Sequence, residues 1–268
     1  MNAPSSELPQ PVVHHRDGRG VHTLTLNRAT TFNALSEDLI SALQAALDFI
    51  ALDFTARVVV IAAEGKAFCA GHNLKDMRAR PELAYYQALF AQCTRMMLTI
   101  QKLPLPVIAR VHGLATAAGC QLVAQCDLAV AASQATFGVN GIDVGLFCAT
   151  PSVPLVRNMH AKQAMEMLLT GDFITADEAR SRGLVNRVVS LEALDTEVET
   201  LVQALLLKPR EAIAIGKALF YLQRETGVEA AYQLAGQAMA HNMMQAAAQE
   251  GVQAFIDKRK PQWPVPLS

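Results

Sequence analysis

Two stretches of the chain place small residues where oxygen chemistry would need them. In residues 110–127, RVHGLATAAGCQLVAQCD, the apolar run 106–111 reads as a strand. Gly113, Ala115, Ala117, Ala118 and Gly119 follow, and Leu122, Val123 and Ala124 open a helical pattern. Small residues at a strand-to-helix turn let another group approach the backbone closely. The first amides of a helix have no partner inside it and sit at its positive end, suited to an oxygen that carries or develops negative charge. The same residues also suit tight helix–strand packing, and on this stretch alone both readings stand. Residues 66–77, KAFCAGHNLKDM, repeat the logic: a strand, then Ala67, Ala70 and Gly71, then a short helix start, at the strand end where α/β proteins place ligands.

The elements around these stretches follow from periodicity. Residues 12–16 and 21–27 read as strands joined by a turn at 17–20. Ser36 reads as the cap of a helix whose Leu39, Ile40, Leu43, Leu47 and Ile50 share one face. Residues 57–63, RVVVIAA, read as a strand buried on both faces. A helix over 83–101, strands over 128–131 and 184–189, and helices over 151–157, 161–170 and from Thr175 to Gly183 complete the alternating part. From 191 onward the pattern is helix only: 191–207, 209–223, 227–250 and 251–259. The switch marks a boundary near 190–210. Residues 1–11 read as a loose tail.

Composition narrows the classes of function. Of 268 residues, 51% are hydrophobic and 18% charged, and the net charge is −1. That is core-rich, with no general field for nucleic acid or an anionic membrane. No apolar run has the length of a membrane span. The start, MNAPSSELPQP, lacks a charged and then apolar leader, and five cysteines in no framework spacing point to reduced thiols, so a cytoplasmic protein is expected. Cys69 and His72 form a C-x-x-H, but no second ligand pair completes a zinc set, and no metal is expected.

The runs KAFCAGHNLKDM, HGLATAAGCQLVAQCDLAVA, GVNGIDVGLFCATP and TGDFITADEARSRGLVNRVV resemble the enoyl-CoA hydratase/isomerase (crotonase) family, in its order and near its spacing, over nearly the whole chain. The resemblance implies an α/β fold, a crotonase-like spiral of ββα turns, with residues 1–200 as an acyl-CoA-binding core and 201–268 as a helical region that builds trimers or pairs of trimers. It implies an acyl-CoA thioester as partner, with coenzyme A arriving as part of the substrate and no separate cofactor. Two backbone N–H groups would grip the thioester oxygen and stabilise an enolate. By motif position they are those of Ala70 and Ala118. Lys66 and Ala67, with Asn73, would lie near the nucleotide part of coenzyme A, and His72 and Leu74 would also bind the substrate. Asp127 falls where the family has a structural aspartate.

The chain departs from the family where water is added. The two glutamates that hydratases use fall at Gln121 and Gly141, and neither residue handles a proton. General acid–base groups contribute roughly 10²- to 10⁴-fold each, so ordinary hydration is expected to suffer unless another group stands in. Asp143 is the nearest carboxylate in sequence; on a strand it would share a face with Gly141 and could serve as a single base, and the alternative is a turn or salt-bridge residue. The alternatives to an enzyme of hydratase/isomerase type are a crotonase-fold acyl-CoA binding protein with little turnover, and a thioester hydrolase or decarboxylase.

Overall fold

Six consecutive buried residues, VVVIAA, form β3 (Val58–Ala63), and the molecule is layered around them. The computed structural model describes residues 10–263. Before β3 come the hairpin strands β1 (Val12–Arg16) and β2 (Val21–Leu26), then α1 (Glu37–Ala51). The hairpin turn is held by Asp17, whose Oδ1 accepts from the amides of Arg19 and Val21. The face of β3 carrying Val59 and Ile61 packs into the main core with Leu39, Ile40, Leu43, Leu47 and Ile50 of α1. The face carrying Val58 and Val60 joins a second cluster. A strand clothed on both sides needs no alternation, which is why its sequence has none.

From β3 onward the chain climbs in turns that give one strand to each of two sheets. β4 (Ala67–Cys69) follows β3; after α2 (Leu74–Ala79) and α3 (Leu83–Lys102) come β5 (Val107–Val111) and β6 (Leu114–Thr116); after α4 (Ala118–Gln125) come β7 (Leu128–Ala132) and β8 (Thr136–Gly138). The larger sheet has the order β1-β2-β3-β5-β7-β10, with β10 (Arg187–Val189) at its far edge. All its neighbours are parallel except β1 and β2. The smaller sheet is β4-β6-β8-β9, closed by the antiparallel β9 (Ile174–Thr175). This is the expected ββα spiral.

Between β8 and β10 lie a 3₁₀ turn over Asn140–Val144, α5 (Ala149–Asn158), α6 (Ala161–Thr170) and α7 (Ala176–Ser181). Gly171 ends α6 with φ +73°, and Thr175 with Glu178 closes a capping box on α7. α8 (Leu194–Leu206) lays Leu194, Val198 and Val202 on the second cluster. The chain then runs through α9 (Arg210–Gln223), α10 (Val228–Met243) and α11 (Ala246–Ile256). The single helix expected over 227–250 is two, broken at Met244 and Gln245; a run as helix-compatible as MMQAAAQ carries no breaker to signal it. α9 and α10 bury no residue, and Tyr232, Met239, Met244 and Phe255 are largely exposed.

α9 is nonetheless anchored at one point. Lys217 Nζ donates to Ile100 O, Leu105 O and Asp127 Oδ2 at 2.9, 2.8 and 2.6 Å. Tyr221 and the Val107 amide also donate to the Asp127 carboxylate. Asp127 is structural, as expected: it ties the C-terminal end of α4 to β5 and α9. Residues 1–9 of the expected tail lie outside the described residues; Gln10 and Pro11 accept hydrogen bonds from Asn27. Among the described residues no helix is long and apolar enough to cross a membrane.

Candidate active site

The two small-residue stretches meet. Gly119, the second residue of α4, lies so close to β4 that a Cβ there would sit 2.1 Å from Cys69 O. Gly71 has φ +85°, and a Cβ on it would sit 2.8 Å from the Ala117 Cβ and 3.2 Å from the Ala118 amide nitrogen. Only glycine allows this approach. Ala117 itself holds φ +49° at the N-cap of α4, with its amide donating to Gly138 O at 2.9 Å. That strained residue turns the chain so that Ala118 starts the helix, where its N–H has no intrahelical partner and none among the described residues.

The Ala70 amide does not play the expected part. It donates to Phe32 O at 3.0 Å. The expectation of a free donor at Ala70 is therefore corrected, and the reason is a loop the sequence pattern did not single out. Phe32 and Asn33 both hold φ +53°, and Asn33 is fully buried. Its Nδ2 donates to Glu64 O and Ala67 O at 2.8 and 2.9 Å, and its Oδ1 accepts from the Arg28 amide. Leu35 N donates to Gly71 O at 2.7 Å, forming a parallel bridge with His72. In such a bridge the residues flanking His72 carry the bonds, so its own N–H is directed away from Leu35. No described residue accepts it. Of Ala70 and His72, it is His72 whose amide no described residue accepts.

Beside these amides opens a cleft of about 310 Å³. Ala70, His72, Leu74, Ala118 and Gly141 of the expected residues line it, with Met77, Phe90, Thr116, Asn140, Phe147 and Cys148. Thr116 and Asn140 were not singled out by sequence; their only signal is position, two residues before Ala118 and one before Gly141. Lys66 is exposed and does not line the cleft; Ala67 is buried in β4. Asn73 caps α2, accepting from the Lys75 amide at 3.1 Å.

The positions of the family's acids are closed. A Cβ at Gly141 would sit 2.4 Å from Leu146 O and 2.8 Å from Cys148 Sγ. Gln121 is buried, does not line the cleft, and leaves Oε1 without a partner. Asp143 lies on the 3₁₀ turn, not on a strand, so it does not share a face with Gly141; it is exposed, packs beside Gly171 and stays out of the cleft lining. The stand-in base is corrected accordingly. The His72 side chain turns inward. Its ring packs edge-on against Phe90, centroids 5.4 Å apart, with Nε2 buried and unpartnered. Burial lowers its pKa to about 4. Burial likewise raises the Cys148 thiol. No carboxylate, lysine or arginine lines the cleft among the described residues. All five cysteines are buried and free, and no group of metal ligands is assembled among the described residues.

Residues 16–265 match the family model described as enoyl-CoA hydratase/isomerase. The chain is 41% identical to the enoyl-CoA hydratase domain-containing protein 3, mitochondrial, of Xenopus laevis, covering 98% of this chain and 90% of that protein. It resembles a solved enoyl-CoA hydratase from Mycobacterium smegmatis at 60% identity and TM-score 0.93, covering 94% of this chain and 98% of the other. It resembles the solved human enoyl-CoA hydratase domain-containing protein 3 at 40% identity and TM-score 0.91, covering 94% and 100%. The expectation of a cytoplasmic protein is corrected here: the frog, rat and human relatives are all named mitochondrial, which points away from the cytoplasm.

Proposed function

The chain belongs to the enoyl-CoA hydratase/isomerase family, and from that premise we propose that it is an enzyme acting on acyl-CoA thioesters, holding the thioester oxygen between the N–H groups of His72 and Ala118. The observation that carries this is the convergence of the two loops at Gly71, which brings an unengaged helix-start amide against the wall of the cleft. Each donor favours the enolate over the ground-state carbonyl, because charge develops on that oxygen only as the reaction proceeds. Removing one such donor from an enzyme costs roughly 2.7–4 kcal/mol of transition-state stabilisation. The coenzyme A part arrives with the substrate and no resident cofactor is needed. Leu74 and the His72 ring border the acyl chain.

Hydration of a simple enoyl thioester needs a base for water and an acid for C2. With Gly141 and Gln121 in the glutamate positions, and no ionised group lining the cleft, water addition to crotonyl-CoA is expected to stay near background. The exposed apolar residues of α10 and α11, with Phe255 84% and Tyr232 78% exposed, support assembly of the 201–268 region into trimers or pairs of trimers, which light scattering after size-exclusion checks.

The test of the oxygen-binding pair compares acetyl-CoA with S-ethyl-CoA, which lacks the carbonyl oxygen, by calorimetry. Two hydrogen bonds worth about 1 kcal/mol each predict roughly 30-fold tighter binding of acetyl-CoA. A lowered C=O stretch in the bound thioester accompanies it. Equal affinities and an unshifted stretch exclude the pair.

A further inference from the structure

One polar side-chain pair in the cleft has no part in holding the thioester oxygen. Thr116 Oγ1 donates to Asn140 Oδ1 at 2.7 Å, and both residues line the cleft. The bond fixes the orientation of the amide. Oδ1 is turned to Thr116, so the two N–H donors of Nδ2 are turned from it, and no described residue accepts them. The pair sits close to the oxygen site along the chain, with Thr116 two residues before Ala118. Around it the walls are apolar: Met77, Phe90, Val144 and Phe147.

A cleft that stabilises negative charge on a thioester oxygen, with no carboxylate in its lining and its one basic ring, His72, packed against Phe90 with Nε2 buried, reaches an enolate most directly when something other than a proton leaves C2. A carboxylate on C2 leaves as carbon dioxide. We propose that the substrate is a 2-carboxyacyl-CoA thioester of malonyl type, that Asn140 Nδ2 holds its free carboxylate, and that the protein decarboxylates it.

The inference rests on the reading of His72 and Ala118 as the oxygen-binding pair. In the step, the bond between C2 and the carboxylate carbon breaks. Its electron pair becomes the C1–C2 double bond while the carbonyl π pair moves onto the thioester oxygen. Carbon dioxide departs. Water then gives a proton to C2, the carbonyl re-forms, and hydroxide remains. The surroundings suit this transfer. Neutral amide donors orient a carboxylate without supplying a countercharge that would hold it in its ground state. Apolar walls remove its water, which penalises the carboxylate and leaves neutral carbon dioxide unaffected. The charge moves to the oxygen that two amides face. Thr116 acts through Asn140 and is a positioning residue.

The full chain, incubated with malonyl-CoA and methylmalonyl-CoA, is expected to release carbon dioxide saturably and, in D2O, to place deuterium at C2 of acetyl- or propionyl-CoA. Crotonyl-CoA in the same conditions is not consumed. Asn140→Ala lowers kcat/KM roughly 10- to 100-fold, the worth of a hydrogen bond to a charged group, and weakens malonyl-type thioesters more than acetyl-CoA. Thr116→Val lowers kcat with little change in KM, and Thr116→Ser restores it. If the unaltered protein binds acetyl-CoA but releases no carbon dioxide from either thioester, the inference is overturned while the oxygen-binding pair stands. If acetyl-CoA itself gains nothing over S-ethyl-CoA, both fall. Full activity in Asn140→Ala removes the carboxylate from that residue.

Discussion

The two walls of the cleft are built in different ways. On one, the chain from β4 to His72 is pinned by groups far away in sequence: Phe32 O takes the Ala70 amide, Leu35 N reaches Gly71 O, and Asn33 holds Ala67 O. Gly119 packs against Cys69 O from the other side. The facing wall is the 3₁₀ turn and the start of α5, closed by local bonds such as Leu146 N to Gly141 O, with Val144, Leu146 and Phe147 exposed. The first wall sets the position of two amides through the core itself. The second sets only shape and polarity, and it is there that Gly141 stands in place of one of the family's acids. In the proposed function, charge stabilisation would thus follow from the fold, and choice of substrate from one short turn.

The contrast breaks most severely if the far end of α4 is released. Lys217→Met leaves the part-buried Asp127 carboxylate without its cation, which costs up to about 3–5 kcal/mol when a buried pair loses one partner. Because Asp127 follows α4 directly, the loss should fall on the amide wall: denaturant midpoints drop and the acetyl-CoA preference over S-ethyl-CoA shrinks in the molecules that remain folded. A variant that is as stable as the parent would show that α4 is held by packing alone. Next in size is the protonation of His72. Its folded pKa of about 4 lies below the ordinary 6.5, so the unfolded chain takes up the proton first as pH falls. The stability it confers is complete above about 6.5 and is lost progressively down to about 4, up to about 3 kcal/mol over the window. Burial also lowers His14 and His22, which hydrogen-bond each other at 2.8 Å. They add to the acid lability with the same sign. His72→Phe keeps the backbone amide and the contact with Phe90. It is expected to retain the acetyl-CoA preference while losing less stability than the parent between pH 7 and 5. Parallel pH curves would return the titration elsewhere.

The same division decides what sequence could foretell. The face of α1 was legible because five apolar residues repeat at helical spacing, and β3 because a strand covered on both sides is apolar throughout. The caps at Thr175 and Gly171 announce themselves by residue type. β4 and β6 have three residues each, too few for any period. Whether the amide of Ala70 or of His72 stays free depends on φ at Gly71 and on a carbonyl at Phe32, 38 positions upstream of Ala70 along the chain. Asn33 acts across the same gap; its one local signal is that asparagine tolerates the left-handed region. Asp143 is a turn residue, one of its two readings, and not a stand-in base, because spacing of two means a shared face only on a strand, and the chain there is a 3₁₀ turn.

The facing wall can be challenged by restoring the family's residue. At Gly141 even a methyl group meets Leu146 O and Cys148 Sγ, so Gly141→Ala is expected to cost about 1–3 kcal/mol, as overpacking does. Gly141→Glu should cost at least as much and bring no hydration of crotonyl-CoA. Denaturant melts and the absorbance of the enoyl thioester at constant enzyme report the two effects. A stable Gly141→Glu that adds water would mean that the turn can open to receive an acid, and that its lack of one is a matter of a single residue.

The smallest effect is expected where a second acid would have stood. Gln121 Oε1 is buried and unpartnered, a position that disfavours the folded state by leaving an acceptor without a donor. Gln121→Met removes that acceptor and keeps an unbranched side chain of similar length. Stability is therefore expected to be unchanged or higher by up to about 1 kcal/mol. Thioester turnover should not change, because an amide outside the cleft lining neither gives nor takes a proton there. A loss of turnover without a loss of stability would place Gln121 in contact with the substrate after all, and would make the two walls partners in the chemistry where the geometry now gives it to one.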